Sequence, residues 1–193
     1  MVNEALHYNK EWTLFLDRDG VINEEIEGTY VTGWKEFRFY EGSVAAISAL
    51  AKIFGTIIVV TNQRGVGRGI MSMESLKEIH EQMTEAISQQ GGRLDKIYSC
   101  TAVENEDNNR KPNTGMAMQA REDFAHIDFR KSVMVGNNIS DMLFGKRMAM
   151  HTVFLSTTKD PLALPHELVD EQFESLKLWS DSIQMEQAMP ALN

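Results

Sequence analysis

The sequence predicts an α/β fold built as a doubly wound parallel sheet, and three observations carry that prediction. Short apolar runs at Trp12–Leu16, Thr56–Val60, Lys96–Ser99, Ser132–Val135 and Thr152–Leu155 alternate with segments of helical period. The second run places Ile57, Ile58, Val59 and Val60 in succession, which suits a strand covered on both faces. Asp17, Thr61 and Gly136 each directly follow one of these runs. Right-handed crossovers would gather all three on the carboxyl edge of one sheet, where open α/β folds bind ligands.

The helices fall between the runs. Ser43 reads as an N-cap for a first helix with Val44, Ile47, Leu50 and Ala51 on one side and Gly55 beyond its end. A second follows Ser72, with Leu76, Ile79, Met83 and Ile87 recurring at intervals of three and four until Gly91-Gly92 stops it. A third spans Thr114 to Phe124 with Pro112 near its start, a fourth runs from Ser140 to Met148, and a last one from Glu174 to Ala188.

At 193 residues the chain reads as a single domain, 1–193, with 42% hydrophobic and 24% charged residues and no repeat or low-complexity tract. No run approaches the roughly 20 apolar residues of a membrane span. Met1–Lys10 is polar and lacks the apolar centre of a signal peptide, so a cytoplasmic location is expected. The lone Cys100 excludes an internal disulfide framework and fits a reducing compartment. A net charge of −9 disfavours nucleic acid and anionic membrane surfaces as partners. It leaves a small anion open, because Arg18, Arg64, Arg68, Arg110 and Lys111 all lie in or beside the motifs below. Nothing in the sequence defines an oligomeric state.

Asp17 and Asp19 stand one residue apart at the end of the first run. An enzyme that forms an aspartyl-phosphate needs one carboxylate as nucleophile and a second to handle the leaving-group proton, usually around a metal. The pair alone equally fits a solvated turn or a calcium loop. Thr61-Asn62-Gln63 ends the most apolar run, and Gly65, Gly67 and Gly69 follow, interleaved with Arg64 and Arg68. A hydroxyl, backbone amides and guanidinium groups there suit phosphate oxygens, which makes Thr61, Asn62, Arg64 and Arg68 candidates, although a flexible turn has the same composition. The glycine spacing is not the dinucleotide fingerprint.

Arg110-Lys111-Pro112 precedes the third helix, and a lysine fixed there would neutralise both a nucleophilic aspartate and the transferred group; a surface lysine is the plainer reading. After the fourth run, Asn137 offers an amide oxygen to Mg²⁺. Asp141 offers a carboxylate that either approaches the ion through water or orients Lys111; an acid in a helix's first turn would look the same.

Taken together, the order of aspartate pair, threonine, lysine and acidic turn resembles the haloacid dehalogenase superfamily of phosphatases, from about Glu11 to Leu155. The segments Asp17–Asn23, Tyr30–Gly42, Thr61–Gly69, Arg110–Met116 and Ser140–Gly145 are similar to D-glycero-D-manno-heptose 1,7-bisphosphate phosphatases and their histidinol-phosphate phosphatase relatives. The resemblance implies Asp17 as nucleophile, Asp19 as general acid/base, Thr61 and Lys111 as phosphate-binding and charge-neutralising residues, and Arg110 as a substrate contact. It implies Mg²⁺ held by the Asp17 carboxylate, the Asp19 carbonyl and residue 137. It also implies an essentially capless enzyme, since Gly20–Gly42 is too short for an independent cap domain.

Two positions depart from that family. Asn137 stands where aspartate is usual, and Thr101–Asn109 contains no Cys or His where many relatives hold zinc, so no structural zinc is expected. Trp34, Phe37, Phe39 and Tyr40 either wall the pocket or pack on the core. The expected function is Mg²⁺-dependent hydrolysis of a small phosphorylated metabolite, such as a heptose bisphosphate, through an aspartyl-phosphate. Histidinol-phosphate hydrolysis is one alternative, and phosphosugar binding by a protein weakened at Asn137 is another.

Overall fold

Leu14 and Leu16 of β1 (Thr13–Leu16) point into one hydrophobic cluster and Phe15 between them into another, which makes the sheet the middle of three layers. A computed structural model describes residues 6–188, so the first five residues of the polar Met1–Lys10 stretch lie outside it. Beside β1 stand β2 (Thr56–Asn62) and β4 (Ser132–Gly136), both parallel to it; Leu16 is level with Val59 on one side and Val135 on the other. β3 (Lys96–Cys100) extends the sheet past β2, and β5 (His151–Leu155) and β6 (Glu171–Phe173) extend it past β4. The order is therefore β3-β2-β1-β4-β5-β6. The chain reverses its direction of travel between β1 and β4, which opens a crevice at their carboxyl ends.

One face is covered by α1 (Ser43–Ile53), α3 (Met73–Gln89) and α6 (Leu176–Ala188), whose Leu50, Ile79 and Trp179 share a cluster with Leu14 and Val133. The other carries α4 (Gly115–Asp123) and α5 (Ile139–Arg147), with Met116 and Phe144 against Phe15 and Met134. A four-residue helix, α2 (Arg64–Gly67), fills part of the turn after β2. Among the described residues no helix is long and apolar enough to cross a membrane.

The α/β sheet matches the expectation, and several details differ. β2 runs on to Asn62, so Thr61 lies inside the strand rather than after it, because Asn62 still pairs with Cys100 of β3. Gly136 likewise belongs to β4. Gly42, not Ser43, caps α1; the Ser43 hydroxyl instead donates to the carbonyl of Ile22 at 2.8 Å and ties the helix start to the loop after β1. Ser72 does cap α3, accepting from the N–H of Ser75 at 3.0 Å. Pro112 stands three residues ahead of α4. β6 was absent from the expected strands.

Candidate active site

Asp17 is the first residue past β1, and its N–H still donates to Val135 at 3.0 Å, so the ladder itself aims its side chain from the crevice. The ammonium of Lys111 lies 2.9 Å from Asp17 Oδ1 and 2.7 Å from Asp141 Oδ1. Lys111 and Asp141 side chains are each 1% exposed and that of Asp17 is 13% exposed, so of the three Asp17 is the most open to the cavity they line. Burial pushes the Asp17 carboxyl up to about 7 against the pull of Lys111, with the charge on Asp141 adding to the rise. Burial works against the Lys111 charge, yet Asp141 and Asp17 outweigh it and hold the ammonium above its ordinary value.

Asp141 contacts the protein through both carboxylate oxygens. Its Oδ2 accepts from the N–H of Asn138 at 3.0 Å in a capping box at the start of α5, while Oδ1 faces Lys111. Both oxygens thus contact the protein, one of them the Lys111 ammonium. A Cβ on Gly136 would lie 2.4 Å from Asp141 Oδ2, so only glycine admits this approach.

Asp19 is ringed by donors. Nη2 of Arg18 lies 2.8 and 2.9 Å from its two oxygens, Asn23 Nδ2 2.9 Å from Oδ1 and Gln63 Nε2 2.7 Å from Oδ2. Burial would raise its carboxyl, but Arg18 and these bonds hold it below the usual carboxylate range. Arg18 is itself buried, and its Nη1 lies 3.4 Å from His80 Nε2. A guanidinium only donates, so His80 accepts there and is the neutral Nδ1–H tautomer. Burial, with the Arg18 charge, pushes the His80 imidazole down to about 3.

Asn62, expected to bind substrate, turns inward instead. Its Nδ2 donates to the Lys111 carbonyl and its Oδ1 accepts from the Lys111 N–H, both at 3.0 Å, so it anchors the lysine's backbone. Thr61 is buried, and its hydroxyl accepts from Gln63 at 2.9 Å.

These groups open into a cavity of about 630 Å³ that Arg64, Arg110, Asn105, Ile26 and Tyr30 also line. Arg64 reaches Asn105 Oδ1 at 2.6 Å, Arg110 the carbonyl of Ala102 at 3.3 Å and Arg68 the hydroxyl of Tyr30 at 3.1 Å, so all three cations rest on neutral acceptors. Burial and then the neighbouring Arg64 charge lower the Arg110 guanidinium. Arg68 is exposed and stands behind Tyr30 rather than on the cavity wall. Trp34, Phe37 and Phe39 pack against the core beside α1, with the Trp34 and Phe37 rings stacked at 4.9 Å, and neither they nor Tyr40 line this cavity. Gln63, Glu25, Tyr30 and Asn105 are site residues that the motifs do not announce as such, although Gln63 and Tyr30 lie within matched segments.

Three oxygens at the mouth of the crevice fit a hard divalent cation. Asp17 Oδ2 and the Asp19 carbonyl have no donor among the described residues. The third is Asn137 Oδ1: its Nδ2 is turned to Thr158 Oγ1 at 2.7 Å and Glu25 Oε2 at 3.4 Å, and a carboxylate only accepts, so the amide oxygen faces away from them. Gly20, at φ +81°, lets the asparagine lie against the loop after β1, because a Cβ there would overlap the Asn137 amide. Such an oxygen set suits Mg²⁺. Glu25 also returns a negative charge to the neighbourhood that Asn137 leaves neutral.

The loop from Thr101 is closed by the protein's own bonds. Asp107 accepts from Asn109 at 2.8 Å through Oδ1 and from Asn113 at 2.9 Å through its carbonyl, and the Asn108 carbonyl accepts from Gly115 at 2.8 Å.

The chain is similar to known proteins over most of its length. A family model described as polynucleotide kinase 3 phosphatase matches residues 14–173. The D-glycero-alpha-D-manno-heptose-1,7-bisphosphate 7-phosphatase of Mycobacterium bovis is 30% identical over 86% of this chain and 88% of its own. The D-glycero-beta-D-manno-heptose-1,7-bisphosphate 7-phosphatase of Vibrio cholerae is 36% identical over 77% of this chain and 83% of its own. Among solved structures, the D,D-heptose 1,7-bisphosphate phosphatase of B. bronchiseptica, complexed with magnesium and phosphate, superposes with a TM-score of 0.80 at 26% identity, over 91% of this chain and 99% of that one.

Proposed function

The chain belongs to the polynucleotide kinase 3 phosphatase family of haloacid dehalogenase-type phosphatases, and on that premise we propose that it removes the 7-phosphate from a D-glycero-D-manno-heptose 1,7-bisphosphate. The observation that carries this reading is the gathering of several cations around one cavity. Lys111 sits beside Asp17, and Arg64 and Arg110, resting on neutral partners, line the same space. A small sugar with a phosphate at each end matches such a set. The net charge of −9 argues against a polynucleotide in the same place.

In this reading the Asp17 carboxylate attacks phosphorus in line. The bond from phosphorus to the sugar oxygen breaks, and Asp19 gives its proton to the departing alkoxide. Water then attacks the aspartyl-phosphate, with Asp19 taking the proton back and phosphate leaving. Lys111 and the Thr61 hydroxyl hold the phosphoryl oxygens throughout. Asp17, the Asp19 carbonyl and Asn137 would hold Mg²⁺, which when bound supplies charge neutralisation for the phosphoryl group. Asp19 is held as an anion by Arg18 and Gln63, so it acts as an acid only after turning from them toward the leaving group and taking up a proton from solvent, which the second step then returns to it.

The test is phosphate release from both anomers of the heptose bisphosphate, from a heptose monophosphate and from histidinol phosphate, with and without Mg²⁺. The expected result is a kcat/KM for one bisphosphate anomer at least about tenfold above the others, a difference of about 1.4 kcal/mol. Preference for histidinol phosphate would overturn the substrate. Turnover seen only in an Asn137→Asp variant would overturn the enzymatic reading in favour of phosphosugar binding.

A further inference from the structure

Gln63 is buried two residues past Thr61, with its backbone pinned by a 2.7 Å bond from its N–H to the carbonyl of Cys100. Its Nε2 lies 2.7 Å from Asp19 Oδ2 and 2.9 Å from Thr61 Oγ1, so the two amide hydrogens go to the two residues. The orientation of the amide is not free. Asp19, ringed by Arg18 and Asn23, is an acceptor, so the nitrogen and not the oxygen of Gln63 must face it. The same nitrogen then makes Thr61 Oγ1 an acceptor as well. A hydroxyl that accepts from one side keeps its proton for another, and Thr61 has no other acceptor within reach among the described residues.

We infer that Gln63 is a positioning residue that keeps the Thr61 hydroxyl as a donor toward the substrate phosphoryl group while steadying Asp19. One amide nitrogen thereby links the residue that binds the phosphate to the residue that moves the proton. When Asp19 turns to the leaving group it gives up one of the two bonds, and the bond to Thr61 persists. The inference rests on the reading of Thr61 and Asp19 given above, although not on which sugar the enzyme takes.

Inorganic phosphate, titrated calorimetrically with excess Mg²⁺ present, is the probe, read beside kcat and KM for whichever phosphomonoester is turned over. Gln63→Glu keeps the size of the side chain and offers only acceptors to Thr61, whose proton then turns inward; phosphate affinity should fall on the order of tenfold. Thr61→Val should fall by a similar factor, and the double variant should match Thr61→Val within about twofold, because the two changes remove one interaction. Gln63→Met, uncharged and of similar length, should show the same non-additivity with a smaller loss if the glutamate disturbs folding. A Gln63→Glu protein that is folded by its thermal melt and binds phosphate like the parent would overturn the inference. So would losses at Gln63 and Thr61 that multiply. Because phosphate binding is independent of the sugar, failure of the heptose assignment leaves this result distinct.

Discussion

Gly20 and Asn137 are packed so closely that a Cβ on the glycine would lie 1.9 Å from the asparagine Nδ2. The contact joins the loop after β1 to the residue that follows β4. Thr157 reinforces the loop by donating to the Gly20 carbonyl at 2.5 Å.

Gly20→Ala should therefore weaken the metal site as well as the fold. A side chain at φ +81° is strained and Asn137 has to move, so a loss of about 1–3 kcal/mol is expected by urea unfolding. Mg²⁺ affinity, read by calorimetry, should fall with it.

Lys111→Met removes the cation from between two buried carboxylates. Leaving Asp17 and Asp141 unpaired should destabilise the fold by about 3–5 kcal/mol and reduce turnover by about a thousandfold. Adding Asp141→Asn to Lys111→Met should restore part of the stability and none of the activity, by denaturation and assay of the same samples.

For Asp17 the sign of the pH dependence is set by its raised carboxyl. Between about 4, the unfolded value, and about 7, the native state holds the extra proton, so this group makes the fold less stable as pH rises through that window. Asp17→Asn should flatten that decline and leave the melting temperature at pH 7.5 equal or higher, while turnover disappears. A melt series at several pH values without added metal reads it.

His80 has the opposite slope. Its neutral form is kept down to about 3, so between there and 6.5 the unfolded chain binds the proton and stability rises with pH, by at most about 1.4 kcal/mol per unit. His80→Gln, whose carbonyl can still accept from Arg18, should resist acid better over pH 4–6 in the same melts.

Asn137→Asp should tighten Mg²⁺ binding by roughly tenfold or more, well within the about 4 kcal/mol that a charge pair 4 Å apart reaches at an effective dielectric of 20. The metal-free protein should melt lower, because the new carboxylate faces Glu25. Calorimetry and melts with and without Mg²⁺ separate the two effects.

The sheet was legible because its central strands are buried on both faces, and Ile57–Val60 announce such a strand without help from neighbours. β6 was not, since Glu171-Gln172-Phe173 is a short, half-buried edge whose pairing to β5 comes from tertiary contact. Asp17, Thr61 and Lys111 were readable from their order along the chain, and the structure brings them to one crevice. Asn62, expected to bind substrate, bonds the Lys111 backbone, and Asp141, open in sequence to a metal or to Lys111, contacts the Lys111 ammonium; a polar side chain's partner depends on what the fold sets opposite it. Gln63 and Tyr30 lie within matched segments that do not say what they face, and Glu25 carries no periodic or motif signal; its place appears only across a long separation in sequence, where it meets Asn137.

β1 has a further consequence as the seam of the sheet. Asp17 belongs to neither half: β2 and β3 are laid on one side of it and β4 to β6 on the other, and Lys111 and Asp141 reach it from segments that flank β4. No partly assembled chain lacking either half can own this centre. Turnover, rather than helicity or compactness, would be the signal that folding had finished, and a nick on either side of the seam would silence the enzyme before it unfolded the remainder.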